Sequence, residues 1–429
     1  MNREGRLASI DILRGFAIVW VISYHLWTDL RFPDVYPRQS DAFREVPRQL
    51  ADADALGAIA AAFGAFLRVG YMGVPLFMML SGLSLTLVAL RRGAAPSRQW
   101  RLLPRRVRRL LLPYWAGFAI TVAFAAALAL VQWQRHGGAP FPDYLRDGDI
   151  NLHSDQFIAG ALLVPRMFRA EWQFAPEGSL WFVLVVVQYY LLFPLLFAAL
   201  LRVGPALFAV STLGITVVAL SVMVAINGEL LGHRSWIEMG SPFRLMEFGA
   251  GMSLGYVLVR GPQAVRAAAA RTPAVMGAVA VGAAAFVAGC LIAPDRGYLS
   301  VTQWPLIVVG LALISLPVLA RSPGRLEGAA PARVLARVGI VSYTTLIVSE
   351  PLRSITHTLR SEHASPGWLA LWVVAGFIPL TLVLARPLAV SLRLVEAGRP
   401  PTGIDDLFTR DRSPDPVPAP YEVQPPATP

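Results

Sequence analysis

The 429-residue sequence has no lysine, one cysteine and few charges of either sign. Charged residues make up 15% of the chain, against about 25% in an ordinary soluble protein. A water-facing surface needs more charge than this, which excludes the soluble two- or three-domain protein that length alone would allow. A single thiol, Cys290, excludes a disulfide framework and a cysteine-based metal site. The absence of a Gly-rich phosphate loop and of a dinucleotide fingerprint argues against an ATP-driven pump. No basic stripe with interleaved aromatics occurs, so the pI near 10.4 does not point to nucleic acid.

The chain is instead rich in apolar residues: 55% are hydrophobic, and the mean hydropathy is +0.54. A hydrocarbon core of about 30 Å requires roughly 20 mostly apolar residues per helix. Ten stretches meet that requirement, at 10–30, 69–90, 110–132, 179–201, 205–227, 242–259, 273–293, 301–320, 338–356 and 367–392. The expected fold is therefore all-α, a polytopic transmembrane helical bundle of about ten spans. The seventh stretch is rich in Ala and Gly and suits close helix packing. Residues 56–67 are too short to span and read as an interfacial helix. The first stretch follows Arg3 and Arg6 as a signal peptide would, but Asp11 and Arg14 interrupt its start. Tyr24, His25, Leu26 and Trp27 do not form a cleavage site, so it reads as a retained span.

All 38 basic residues are arginine, and they sort by side. With the N-terminus inside, inside segments hold 22 and outside segments 12, although the outside segments are longer in total. Arginine collects in cytoplasmic loops, so both termini are expected in the cytoplasm, in an inner or plasma membrane. Residues 1–400 read as one transmembrane domain. Nine of residues 400–429 are proline, so 401–429 reads as a disordered cytoplasmic tail.

Ionisable residues within spans are costly, and each is a candidate for function. Arg14 and His25 are 11 residues apart, about 20° past three full helical turns and about 16 Å along the axis. They share a face, with apolar Ile18, Val21 and Ile22 between them, as in a helix lining a passage. Two alternatives remain for these residues: a structural histidine bonded to a neighbouring helix, and an arginine that snorkels while paired with Asp11. The i,i+3 pairs Arg244–Glu247 and Glu350–Arg353 fall at a similar depth to His25 and suggest an outward-facing polar cavity; structural ion pairs are the alternative. Residues 91–109 form an arginine-dense loop beside the membrane, suited to capturing phosphates as well as to marking the inside.

Taken in order, four motifs resemble the integral-membrane acyltransferase 3 superfamily. The first is Ser9-Ile10-Asp11-Ile12-Leu13-Arg14-Gly15-Phe16-Ala17-Ile18 followed by His25. The second is Gly73-Val74-Pro75-Leu76-Phe77 with Leu80-Ser81-Gly82. The third is Arg106-Val107-Arg108-Arg109 with Pro113-Tyr114-Trp115. The fourth is Ser179-Leu180-Trp181-Phe182 with Gln188, Tyr190 and Pro194. The resemblance covers about residues 7–392. Two positions depart from the pattern of many glycan O-acetyltransferases: Val186 stands where a glutamate is common, and Ser349, followed by Glu350-Pro351, where a histidine is common.

The resemblance implies transfer of an acyl group, most often acetyl, from acyl-CoA to a hydroxyl of an envelope glycan or glycolipid. In that picture His25 and Arg14 are catalytic. Arg106 and Arg109, with Arg14, hold the phosphates of acyl-CoA. Glu350, Arg353, Arg244, Glu247, Trp181 and Tyr190 contact the substrate, and Tyr189 is a further cavity residue. The thioester is already activated, so no metal and no permanently bound cofactor are expected. The partners are acyl-CoA, the acceptor and the lipid bilayer, with no nucleic acid. Two alternatives are a transporter or flippase of an envelope lipid or small anion, and an N-acyl or succinyl transferase.

Overall fold

The computed structural model describes residues 3–30, 54–93, 95–136, 138, 140, 181–227, 240–261, 263, 272–292, 297–320, 329–361 and 365–396. The Pro-rich tail expected at 401–429 lies outside these residues, as do Ser179 and Leu180. Every element among the described residues is helical. That is the solution lipid imposes, because only a helix or a closed barrel satisfies its own backbone hydrogen bonds away from water.

Helix α1 (Arg3–Leu30) is followed by the short α2 (Ala55–Arg68), a 3-10 turn at Gly70–Met72, and α3 (Gly73–Arg91). Helix α4 (Pro96–His136) has 41 residues, about 60 Å of rise, twice the hydrocarbon thickness. Its arginine-rich first turns therefore continue the span as a helix, where the sequence suggested a loop. Helix α5 (Trp181–Asn227) is broken at Gly204, whose φ of 80° is left-handed, and Pro205 follows. The two stretches expected at 179–201 and 205–227 are the halves of this element. The chain continues through α6 (Ser241–Arg260), α7 (Thr272–Leu291), a 3-10 segment Gly297–Thr302 and α8 (Gln303–Ala320). It ends with α9 (Ala330–Ile340), α10 (Ser342–Ser361), α11 (Pro366–Leu371), a π segment Trp372–Phe377 and α12 (Ile378–Glu396).

Seven helices among the described residues are long and apolar enough to cross a membrane. They become eight if α9 and the adjoining part of α10, bent by 82°, form one span. Helix α6 is not among them because Arg244 and Glu247 lower its hydropathy. It is instead held inside the bundle, packed on α3 and α5, with Arg244 and Glu247 both buried. A helix surrounded by protein does not need an apolar surface all round.

Two crossings bring backbones into contact. A side chain on Gly251 of α6 would overlap the Met79 carbonyl of α3, and one on Gly15 of α1 would overlap the Leu335 carbonyl of α9. Small residues permit such approaches, which in lipid supply the packing that water-driven burial does not. One core cluster gathers Tyr189, Phe193 and Phe197 of α5 against Phe248 and Met252 of α6; a second joins Leu13, Ala17 and Trp20 of α1 to Met79 and Leu83 of α3 and Ile307 of α8. Large apolar side chains on the outer faces, such as Val210, Val218 and Ile226 of α5 or Val374 and Val383 near the C-terminal end, are exposed. On a bilayer-embedded bundle these are the lipid-facing surface.

Candidate active site

Helix α1 carries Arg14 and His25 into two adjoining cavities. The larger, about 540 Å³, lies between the start of α4 and the α3, α5 and α9–α10 elements. Arg14, Arg92, Arg105, Arg106 and Arg109 line it, together with Ser81, Ser84, Val186 and Tyr190, and no carboxylate lies among its lining residues. The smaller, about 30 Å³, lies beside His25. Its walls are Ala17, Ile18 and Val21 of α1, Gly73, Val74 and Phe77 of α3, Trp181 and Phe182 of α5, and Tyr343 and Leu346 of α10.

Phe77, Phe182 and Tyr343 line both cavities. The rings meet edge to face, with centroids 5.8 Å apart for Phe77–Phe182 and 6.2 Å for Phe182–Tyr343, a favoured aromatic geometry. The Tyr343 hydroxyl donates to the Leu110 carbonyl at 3.2 Å, tying the constriction to α4. These three rings therefore separate the arginine cavity from the histidine chamber. Ile18, Val21 and His25 of α1 line the smaller cavity and Arg14 the larger, whereas Ile22, expected on the same face, lines neither.

The arginine cavity is short of acceptors. The Arg14 Nη2 donates to Ser84 at 3.1 Å, reaching α3, and the Arg106 Nη2 donates to Gln99 at 2.7 Å while its guanidinium lies 5.1 Å over the Phe193 ring. Arg14 Nε, Arg106 Nη1 and Gln99 Nε2 are nevertheless buried and find no hydrogen-bond partner. Buried donors are almost always satisfied, and two of these three belong to Arg14 and Arg106, which line the cavity.

The remaining candidates are distributed around these cavities. Trp181 lines the histidine chamber and Tyr190 the arginine cavity. Tyr189, its neighbour, is turned away: its hydroxyl donates to the Ser241 carbonyl at 2.8 Å and its ring stacks on Phe248 at 4.7 Å. Adjacent helical positions are about 100° apart, so the two tyrosines face different neighbours. Arg244 and Glu247 pair with each other at 2.9 Å, and Arg244 is held between Trp181 and Trp304 at 5.2 and 5.4 Å. The pair thus backs the Trp181 wall and lines neither cavity. Ser81 lines the arginine cavity but donates to the Phe77 carbonyl at 2.9 Å, the usual back-bond of a packed helical serine. Ser349 is buried and bonded to the Leu346 carbonyl at 2.7 Å.

Arg353 pairs with Glu350 at 3.1 Å, as the spacing suggested, and also with Asp29 through two bonds of 2.7 and 2.9 Å. Arg360 donates to the Asp29 backbone carbonyl at 2.9 Å, so α10 clamps the end of α1 one turn past His25. The Arg353 guanidinium is an electrostatic neighbour of the imidazole. Asp29 is a further residue of this cluster, and its i+4 spacing from His25 places the two on one face. Ser84 and Gln99 carry no such local signal, because their roles depend on how α4 meets α3, whereas Arg92 and Arg105 belong to the arginine-dense segment 91–109.

Neither a curated protein nor a solved structure matches this chain. The family model described as an acyltransferase domain, of the acyltransferase 3 type, matches residues 7–390, which include every residue lining the two cavities except Leu392. This multi-pass membrane protein belongs to the acyltransferase 3 family.

Proposed function

We propose that the protein transfers an acyl group, acetyl foremost, from cytoplasmic acyl-CoA to a hydroxyl of an envelope glycan or glycolipid. The observation that carries this reading is the pair of adjoining cavities: five arginines without a carboxylate on one side of an aromatic constriction, and His25 on the other. A molecule with several phosphates at one end and a thin arm ending in a reactive group suits that layout. The arm of CoA spans about twelve bonds from phosphate to sulfur, the length of about four peptide residues, or about 14 Å. Arg14 and His25 lie about 16 Å apart along α1.

In this reading Arg106 and Arg109, with Arg14, hold the phosphates, and the open donors on Arg14 and Arg106 receive phosphate oxygens. The N-terminus lies in the cytoplasm, so the acyl-CoA enters at the α4 end and the acceptor approaches from the His25 end. His25 takes the proton of the acceptor hydroxyl, and the oxygen attacks the thioester carbonyl. The new C–O bond forms, the C–S bond breaks, and the departing CoA sulfur regains the proton from His25. Arg353, held by Asp29 and Glu350, sets the field around the imidazole.

Mass spectrometry of envelope glycans and glycolipids tests this in a deletion strain complemented with wild type or His25→Ala, both shown to be present in the membrane. An acyl mass increment restored by wild type alone supports the reading, and its value separates acetyl from succinyl. Equal restoration by His25→Ala removes His25 from the mechanism. If no acylated species depends on the gene, the transporter reading takes its place.

A further inference from the structure

The histidine chamber differs in character from the arginine cavity. Apart from His25 and the indole N–H of Trp181, the side chains lining it are apolar: Ala17, Ile18 and Val21, Val74, Phe77, Phe182 and Leu346, with Gly73 between them. The Tyr343 hydroxyl is already directed to the Leu110 carbonyl. One water requires about 10–15 Å³ of such space, so a chamber of about 30 Å³ holds about two water-sized groups. A methyl and a carbonyl oxygen fill it.

The walls also resist enlargement. They come from four helices, α1, α3, α5 and α10, so widening the chamber means separating packed helices. Ala17, Val21 and Leu346 are buried, at 0, 5 and 2% exposure, and Gly73 sits so close to α1 that a side chain there would press on Val21. Such a site resists extra atoms because packed interiors have no slack.

We propose that Val21, Val74 and Leu346 set the length of the acyl group, admitting acetyl beside His25 and excluding longer or charged acyl chains at the aromatic constriction. This rests on the acyl-CoA reading. Each methylene beyond the fit costs about 10- to 200-fold in selectivity. A succinyl group fares worse, because its carboxylate would lie among apolar side chains, with the cavity arginines on the far side of the three rings. Leu346 belongs to α10 and Val74 to α3, so shortening either makes room without replacing His25 or an arginine.

The test uses the full-length protein in membranes and in detergent, as wild type, Leu346→Ala and Val74→Ala. Membranes receive acetyl-, butyryl- or succinyl-CoA, and incorporation into the envelope fraction is read by mass. Binding of CoA itself is measured by displacement of radiolabelled acetyl-CoA. Wild type is expected to incorporate acetyl at least tenfold better than butyryl, with no succinyl. At least one variant should raise the butyryl-to-acetyl ratio about tenfold while binding CoA as wild type does. Two variants on separate helices guard against one failing to fold. Equal use of acetyl and butyryl by wild type overturns the proposal, as does an unchanged ratio in every variant that folds, and either leaves the acyl-CoA reading intact. Failure of wild type to bind CoA or any acyl-CoA overturns the acyl-CoA reading and the proposal with it.

Discussion

Replacing Arg353 by methionine should damage this protein more than neutralising its partner Asp29. The guanidinium makes two bonds to Asp29, at 2.7 and 2.9 Å, and two to Glu350, both at 3.1 Å, with side-chain exposures of 17% for Arg353 and 11% for Asp29. Asp29→Asn keeps the shape and leaves Arg353 with Glu350, so it loses about 1.5–3 kcal/mol, the range for hydrogen bonds to charged groups. Arg353→Met removes the cation that Asp29 and Glu350 share. The carboxylates stay in a low-dielectric setting without it, at a cost of about 3–5 kcal/mol. The asymmetry has a further consequence: adding Asp29→Asn to Arg353→Met removes one stranded charge and should recover part of the loss, a non-additivity expected of residues in one network. The assay is thermal unfolding of the detergent-solubilised protein followed by fluorescence-detected size exclusion, comparing the midpoints of wild type, the two single variants and the double variant. The argument is refuted if Arg353→Met melts no lower than Asp29→Asn, or if the double variant melts below both.

Three further outcomes follow from the geometry. Arg106→Met removes a guanidinium with an open donor in the arginine cavity, and should weaken acyl-CoA binding about tenfold to a hundredfold, at about 1.5–3 kcal/mol per charged bond; unchanged displacement of labelled acetyl-CoA would count against phosphate binding there. Gly251→Ala drives a methyl into the Met79 carbonyl and should cost at least about 1–3 kcal/mol, seen as a lower melting midpoint. Gly64→Ala on α2 meets nothing within 4 Å and should be neutral or stabilising by up to about 1 kcal/mol in the same assay, so the pair of glycine variants separates close packing from helix propensity.

Several features were legible in the chain because they depend on local periodicity. The spacing of Arg14 and His25 already places them on one face of α1, and the structure puts each in one of two adjoining cavities. The i,i+3 partners Arg244–Glu247 and Glu350–Arg353 pair as written. Other features depend on where helices meet. The segment 91–109 read as a loop because arginine clusters commonly flank spans, yet Pro96 starts a helix that runs unbroken into the membrane. The stretch 338–356 reads as one span; near its start the chain bends by 82° between α9 and α10, and α9 meets α1 at the Gly15 and Gly339 contact. Tyr189 and Tyr190 both read as cavity residues, and rotation about α5 sends one into the core and the other into the cavity.

By itself the sequence determined the solvent of this protein, its helical composition, and the face on which α1 carries its charges. Those follow from the apolar content of each stretch and from 3.6 residues per turn, which act within one helix. Tertiary structure alone decided that Asp29, 324 residues before Arg353, is its partner, that Arg244 braces Trp181, and that Phe77, Phe182 and Tyr343 from three helices separate the arginines from His25. Contacts of that kind form where helices cross, and crossings are set by the packing of whole surfaces, which no local pattern records.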